Sequence, residues 1–153
     1  MCVARCRQSW SMQRGVTLIE LAIAMVLLGV LAALAVPKLA HWSDRLAVMR
    51  AVEEVAGFHR RARLRAVVGS RFVQVVFTGD SLVAVATGPP DSVLVRGPGP
   101  TRLGVSLNAT RSVIRLYPNG LGLGGSNTKI VLKRGEVSES LTVSRLGRLK
   151  RWP

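Results

Sequence analysis

Residues 16–36 read VTLIELAIAMVLLGVLAALAV, a run of 21 residues with a single charged side chain, Glu20. At about 1.5 Å per residue, a helix of this length spans about 31 Å, the thickness of the hydrocarbon core of a bilayer. The preceding residues 1–15 carry Arg5, Arg7 and Arg14 and no acid. Because positive charge ahead of an apolar segment stays in the cytoplasm, the pattern predicts a membrane helix with its N-terminus inside the cell.

Glu20 separates this segment from an ordinary secretory signal peptide. Residues Ala33 to Ala35 resemble a signal-peptidase site. However, a cleaved signal peptide would leave the presence of Glu20 unexplained. A charge within an apolar helix costs about 2.5–3.5 kcal/mol by insertion scales. The carboxylate therefore either reaches the lipid headgroups from the helix end or has a charged partner.

The surrounding residues 14–21, RGVTLIEL, resemble the class III leader of type IV pilins and type II secretion pseudopilins. In that family a membrane peptidase cleaves on the cytoplasmic side after the glycine, the new terminal amine is methylated, and the fifth mature residue is a glutamate. The resemblance implies cleavage between Gly15 and Val16, N-methylation of Val16 and an assembly role for Glu20. Pro37 falls where many members carry a helix-bending proline.

The spacing of these two groups has a physical reason. An amine at Val16 and a carboxylate at Glu20 lie about one helical turn apart on an apolar rod. When such rods stack in a filament, Glu20 can neutralise the amine of a neighbouring subunit, where both charges would otherwise be costly in low dielectric.

Beyond Pro37 the hydrophobic period indicates a second, amphipathic half of the helix, from about Lys38 to about Val68, with Gly69 and Ser70 as the stop. Its predicted apolar stripe comprises Leu39, Trp42, Leu46, Met49, Val52, Phe58, Ala62 and Ala66. Alternating segments then predict strands at 72–77, 82–87, 112–117, 129–133 and 140–145. Residues 88–110 are predicted to be a long loop, either a binding loop or a mobile one.

The predicted fold is α+β and type IV pilin-like: a long N-terminal helix, half of it transmembrane, packed on a small antiparallel β-sheet. The predicted domains are a cleaved leader at 1–15, a transmembrane and filament-core helix at 16–37, and a soluble domain at 38–153. RLYPNGLGLGG at 115–125, KIVLKRG at 129–135 and LTVSRLGRLKRW at 141–152 resemble the GspH/FimT-type minor pseudopilin domain.

The chain is strongly basic, with 22 Lys and Arg against 8 Asp and Glu. Removal of residues 1–15 takes away three arginines and no acid, which leaves a net charge of +11. Such a surface attracts phosphate or anionic headgroups. One basic cluster comprises Arg60, Arg61, Arg63, Arg65 and Arg71, whose simplest interpretation is surface solubility.

The second cluster is the C-terminal tail, with Arg145, Arg148, Lys150 and Arg151 beside Trp152, which can stack on an unpaired base or pack on the domain. The tail resembles the Gly-Arg-x-Arg motif through which some FimT-type pilins contact DNA, with Lys150 in the final arginine position. These four cations are the candidate DNA-binding residues.

Other motifs give weaker signals. Gly120, Gly122 and Gly125 fit G-x-G-x-x-G, but a strand follows them, so a turn is favoured over a dinucleotide site. His41, His59, Glu53 and Glu54 share a helix without a nucleophile-base arrangement. Cys2 and Cys6 lack further ligands nearby for a metal. No enzyme activity, cofactor or metal is expected.

The resemblance therefore implies a minor pilin or pseudopilin at the tip of a type II secretion pseudopilus or a type IV pilus. Its implied partners are prepilin peptidase, other major and minor pilins, and the bacterial inner membrane, which it crosses once with the C-terminal domain in the periplasm. The alternative function is a FimT-like DNA-binding minor pilin that serves DNA uptake through its basic tail.

Overall fold

The computed structural model of the chain describes residues 16–88, 92–123 and 127–152, with the backbone alone at residue 37. The leader predicted at residues 1–15 lies outside these ranges, as does Gly125. Contacts within the chain divide it into two units, with the boundary between Lys38 and Leu39.

A single helix, α1, runs from Leu18 to Val68. It ends as the sequence predicted, after Val68. The Ser70 N–H donates to the Val67 carbonyl at 3.2 Å, and the Arg71 N–H donates to the Ala66 carbonyl at 3.1 Å. These two bonds form a Schellman motif, in which Ser70 occupies the left-handed position with φ 46°.

Within the described ranges, eight strands and one short 3₁₀ helix follow α1. They are β1 (Val73–Phe77), β2 (Ser81–Ala86), β3 (Ser92–Pro98), the 3₁₀ helix Pro100–Leu103, β4 (Ser106–Ala109), β5 (Val113–Leu116), β6 (Thr128–Arg134), β7 (Val137–Val143) and β8 (Leu149–Trp152). The strands form two four-stranded sheets, ordered β3-β2-β1-β5 and β4-β6-β7-β8, and every pairing is antiparallel. The α+β fold is confirmed, but its strands form two antiparallel sheets rather than the one small sheet that the sequence predicted.

The prediction of a long loop over residues 88–110 is wrong. Within the described part, residues 92–98 pair with β2, residues 106–109 pair with β6, and the 3₁₀ helix joins them. The segment contains Gly97, Pro98, Gly99 and Pro100, which read as a turn cluster. Gly99 shows why small residues are needed, because a Cβ there would lie 2.0 Å from the Gly79 carbonyl oxygen.

One hydrophobic core joins α1 to both sheets. Its helix residues are Ala47, Val48, Ala51, Val52, Val55, Ala56, Phe58, Ala62 and Ala66, and its strand residues include Val75, Phe77, Leu82, Ile114, Leu116, Ile130, Leu132, Leu141 and Val143. The predicted burial of Val52, Phe58, Ala62 and Ala66 is confirmed. The helix therefore packs between positions 47 and 66 mainly through alanines and valines, with Phe58 as the one large side chain among these core residues.

The first half of the predicted apolar stripe is not buried. Leu39, Trp42, Leu46 and Met49 expose 69%, 63%, 42% and 38% of their surface, respectively. We call these four residues the exposed apolar face. The packed side of α1 is instead set by alanines and valines such as Ala47, Val48 and Ala51, which allow the strands to approach closely.

Candidate assembly helix and basic surface

The start of α1 holds the two groups expected to pair in a filament. Val16 lies just ahead of the helix and is 71% exposed. Thr17 caps the helix, because its Oγ1 accepts a hydrogen bond from the Glu20 backbone N–H at 3.3 Å. Glu20 lies in the first turn, where the helix dipole favours a negative charge. The structure therefore places the carboxylate within a turn of the predicted new N-terminus.

The apolar half of α1 has the length and composition of a membrane-crossing helix. Every large apolar side chain from Leu18 to Val36 exposes more than half of its surface. Among the described residues of the first unit, these side chains have nothing to pack against. An apolar surface of this kind is typical of segments that contact lipid or other helices.

The basic tail is a strand rather than a free extension. β8 pairs with β7, with Lys150 opposite Thr142 and Trp152 opposite Ser140. The Lys150 ammonium lies 3.8 Å from the centre of the Trp152 ring, a cation–π contact. A groove beside this pair is lined by Thr142, Leu146 and Arg148, among others.

Arg151 differs from the other tail cations because carboxylates already surround it. Its guanidinium donates to both oxygens of Glu139 at 2.7 and 2.9 Å, and to Glu53 of α1 at 3.2 Å. The hydrogen bond with Glu139 raises the pKa of Arg151 further above its ordinary value. Arg145 and Arg148 make no ion pair within the described residues.

The two basic clusters, separated in sequence, approach each other at a glycine junction. Arg63 donates from Nε to the Gly120 carbonyl at 3.0 Å. Gly147 packs against the same carbonyl so closely that a Cβ there would lie 2.3 Å from the Gly120 oxygen. The first cluster therefore touches the turn that precedes Arg148, a juxtaposition that no local sequence signal could reveal.

Within the described part of the glycine motif, Gly120 lies in a turn, as the sequence indicated. Gly120 has φ 77° and its N–H donates to the Tyr117 carbonyl at 2.8 Å. Gly122 forms an isolated bridge with Leu116 and its N–H donates to the Arg145 carbonyl at 2.8 Å. Among residues 120–123 and 127–134 no helix begins, so these described residues lack the helix N-terminus that a pyrophosphate site needs.

The acid-base candidates on α1 are dispersed. His59 is buried and its Nε2 has no partner in the described part of the chain. Burial, with the charges of Arg63 and Arg60, lowers its pKa to about 4. Glu53 pairs with Arg60 and Arg151, and Glu54 pairs with Arg102. His41 is exposed. Among residues 16–88, 92–123 and 127–152, no three His, Cys, Asp or Glu residues are grouped so that they could hold a metal ion.

The sequence and the fold of this chain are similar to those of known proteins. A profile described as a prokaryotic N-terminal methylation motif matches residues 10–36, and one described as type II transport protein GspH matches residues 51–147. Two fimbrial proteins of Pseudomonas aeruginosa are each 33% identical over 101 residues, covering 66% of this chain and 64% of the relative. The chain thus matches less than two thirds of the length of these relatives.

Solved structures show the same fold. The type IV minor pilin FimU of Pseudomonas aeruginosa PAO1 aligns with a TM-score of 0.62 at 16% identity, covering 71% of this chain and 90% of FimU. A second crystal form of FimU gives a TM-score of 0.57 at 17% identity, covering 69% and 92% of the two chains. At this identity the likeness concerns the fold alone.

A long apolar helix that begins in a methylation motif and packs on antiparallel strands defines a pilin-like protein. Proteins of this class are structural subunits that assemble with other pilins after processing by prepilin peptidase. The GspH profile covers more than half of the chain. The chain therefore belongs to the GspH family and is a minor pseudopilin of the GspH/FimT type.

Proposed function

We propose that this chain is a minor subunit at the tip of a type II secretion pseudopilus or a type IV pilus. Prepilin peptidase cleaves it between Gly15 and Val16, and Val16 is then N-methylated. The helix at 16–37 crosses the inner membrane once, with its N-terminus in the cytoplasm and the domain at 38–153 in the periplasm. The observation that carries the proposal is Glu20 in the first turn of an exposed apolar helix.

The chemistry of Glu20 supports incorporation next to other pilins. A lone carboxylate in the bilayer is costly, and a nearby cation in low dielectric offsets that cost. The N-terminal amine of a neighbouring processed subunit supplies such a cation. Glu20 thereby sets the axial register of one helix against the next, because the two charges must coincide.

The processing step is tested by the intact mass of the protein extracted from membranes. The expected mass is that of residues 16–153 plus one methyl group. A chain that still begins at Met1 would contradict the proposal. The assay reads cleavage and methylation in one measurement, independently of assembly.

The assembly step is tested with Glu20→Gln, which keeps the shape of the side chain and removes its charge. The variant should insert into the membrane but co-purify poorly with partner pilins, while Glu20→Asp should retain part of the interaction. Glu136→Gln is the matched control, because Glu136 is exposed and has no ion pair within the described residues. Unchanged co-purification of Glu20→Gln would oppose the proposal.

A second candidate function is DNA capture through Arg145, Arg148 and Lys150. It is favoured by the exposure of these cations beside the groove at Trp152, and by the net charge of +11 expected after cleavage. Such contacts would address phosphates without reading sequence. In an electrophoretic shift assay on the detergent-solubilised full chain, removing all three charges should flatten the log–log salt slope by up to about 2.7, at about 0.9 per phosphate contact.

A further inference from the structure

A cavity of about 570 Å³ lies in the second unit between α1, the 3₁₀ helix and the end of β6. Its lining includes three arginines from separate elements, Arg50, Arg102 and Arg134, together with Ser43 and Leu46 of α1. None of the lining residues is acidic. We call it the arginine cavity. Its interior is therefore positive, although acids lie nearby.

The nearby acids are engaged outside the cavity. Arg134 contacts Asp44 at 2.8 Å and donates to the Leu103 carbonyl at 2.6 Å. Arg102 pairs with Glu54. These contacts fix two of the three guanidinium groups and leave some of their N–H donors unused, since each guanidinium carries five.

Arg50 is the unpaired member. Its side chain is exposed and makes no hydrogen bond or ion pair within the described residues. Three cations thus face one cavity against two carboxylates that do not line it. The excess charge and the fixed guanidinium geometry fit a carboxylate brought from outside.

The other side of the cavity is apolar and continues onto the helix surface. Leu46 lines the arginine cavity and also a shallow cleft formed by Trp42, Arg45 and Met49. The cleft lies on the exposed apolar face. A ligand that fills both regions must carry an acid next to apolar side chains, which is the composition of an amphipathic protein segment rather than of a free inorganic anion.

The net charge of this chain indicates which kind of protein can bind at the arginine cavity. A second copy of this chain carries the same excess of +11 after leader removal and would be repelled. We propose that the exposed apolar face and the arginine cavity bind a different, acidic subunit, whose carboxylate enters beside Arg50. This inference rests on the proposed function, since the partner is then another subunit of the same filament.

The test uses the full chain in cells that carry its own assembly genes. A photoreactive benzoylphenylalanine replaces Ser43, an exposed residue at the cavity, and adducts are identified by mass spectrometry. Arg50→Glu should lower the adduct yield about tenfold, as expected for reversal of one charge in an interface pair. Arg50→Gln should have a smaller effect. Arg65→Glu is the control, because it makes the same charge change on the same helix outside the cavity.

The decisive result is rescue. Reversal of the crosslinked partner's acid to lysine should restore the adduct with Arg50→Glu and reduce it with the unaltered chain. An adduct to a second copy, to phospholipid or to nucleic acid overturns the inference. Absence of an adduct, or equal yields with Arg50→Glu and Arg65→Glu, overturns it as well.

Failure of the inference is separable from failure of the proposed function. If the processed protein enters filaments while the yield of the adduct at position 43 does not depend on Arg50, the docking inference fails and the pilin assignment stands. If the protein never enters a filament, the proposed function fails, whereas a charge-dependent adduct to an acidic protein would still be detected.

Discussion

Arg151 of β8 holds Glu139 of the neighbouring strand through two hydrogen bonds of 2.7 and 2.9 Å. Its third contact, to Glu53 at 3.2 Å, reaches α1. The last strand is thereby tied both to its sheet and to the helix. This cation therefore differs from Arg148, which precedes β8 and has no carboxylate partner in the described part of the chain.

We therefore expect Arg151→Gln to affect mainly the stability of the domain and Arg148→Gln to affect mainly its affinity for DNA. Arg151→Gln should lower the free energy of unfolding by about 1 kcal/mol, because it leaves the nearly buried Glu139 without its partner, discounted for the partial exposure of Arg151. Arg148→Gln should change it by less than about 0.5 kcal/mol. Urea unfolding measures both. In the salt-dependent DNA assay, Arg148→Gln should change the log–log slope more than Arg151→Gln does. A larger slope change for Arg151→Gln would contradict these separate roles.

Acid should destabilise the domain through His59. The pKa of His59 is about 4 in the folded protein, against an ordinary value of 6.5 that applies to the unfolded chain. The unfolded chain therefore binds the proton more readily. Stability should be insensitive to this group above pH 6.5, fall as the pH drops towards 4, and lose about 3 kcal/mol in all.

His59→Leu should remove that part of the pH dependence. The expected observation is a smaller loss of unfolding free energy between pH 6.5 and 4 than in the unaltered protein. His41→Leu is the matched control, because it makes the same substitution at an exposed position of the same helix. Parallel profiles for His59→Leu and the unaltered protein would show that folding does not lower the pKa of His59.

The glycine junction should tolerate no side chain. Gly147 has φ 68°, and a Cβ there would lie 2.3 Å from the Gly120 oxygen, so Gly147→Ala should cost about 2–3 kcal/mol. Gly57→Ala is the contrasting change, because this helical position is open, with only the Arg61 side chain at 3.8 Å. It should stabilise the domain by about 0.5–1 kcal/mol. Thermal unfolding of the pair distinguishes junction strain from a general effect of alanine.

The helix stop at Ser70 offers a stabilising substitution. Ser70 adopts φ 46°, which costs an L-residue about 1–2 kcal/mol, whereas glycine adopts it freely. After the greater chain entropy of glycine is subtracted, Ser70→Gly should raise the free energy of unfolding by about 0.5 kcal/mol. Ser70→Ala should give no gain, and equal melting temperatures for the two variants would contradict the argument.

The membrane-spanning pattern, the helix stop and five of the strands could be read from the sequence because each depends on local periodicity. β3 and β4 could not, since Gly97 and Pro98 suggest a turn and the strand is stabilised by pairing with β2. β8 was hidden by its charges: Lys150 and Arg151 look like a solvated tail until Glu139 is seen opposite.

The helix surface shows the same limit. Large apolar residues predicted a buried stripe through Trp42 and Leu46, yet the core side is formed by alanines and valines such as Ala51 and Val55. Binary patterning detects that a helix is amphipathic, but close packing against strands selects small residues. The glycine junction and the arginine cavity arise from residues distant in sequence, so only the three-dimensional structure reveals them.

The exposed position of Trp42 makes the helix surface optically addressable. In the mature chain that we propose, residues 16–153, Trp42 and Trp152 are the remaining indoles. With Trp152→Phe, the emission of the protein comes from a side chain that is 63% exposed, one turn from Leu46. Fluorescence that shifts to shorter wavelength and becomes shielded from a soluble quencher would report occupancy of this surface in real time, without any attached label.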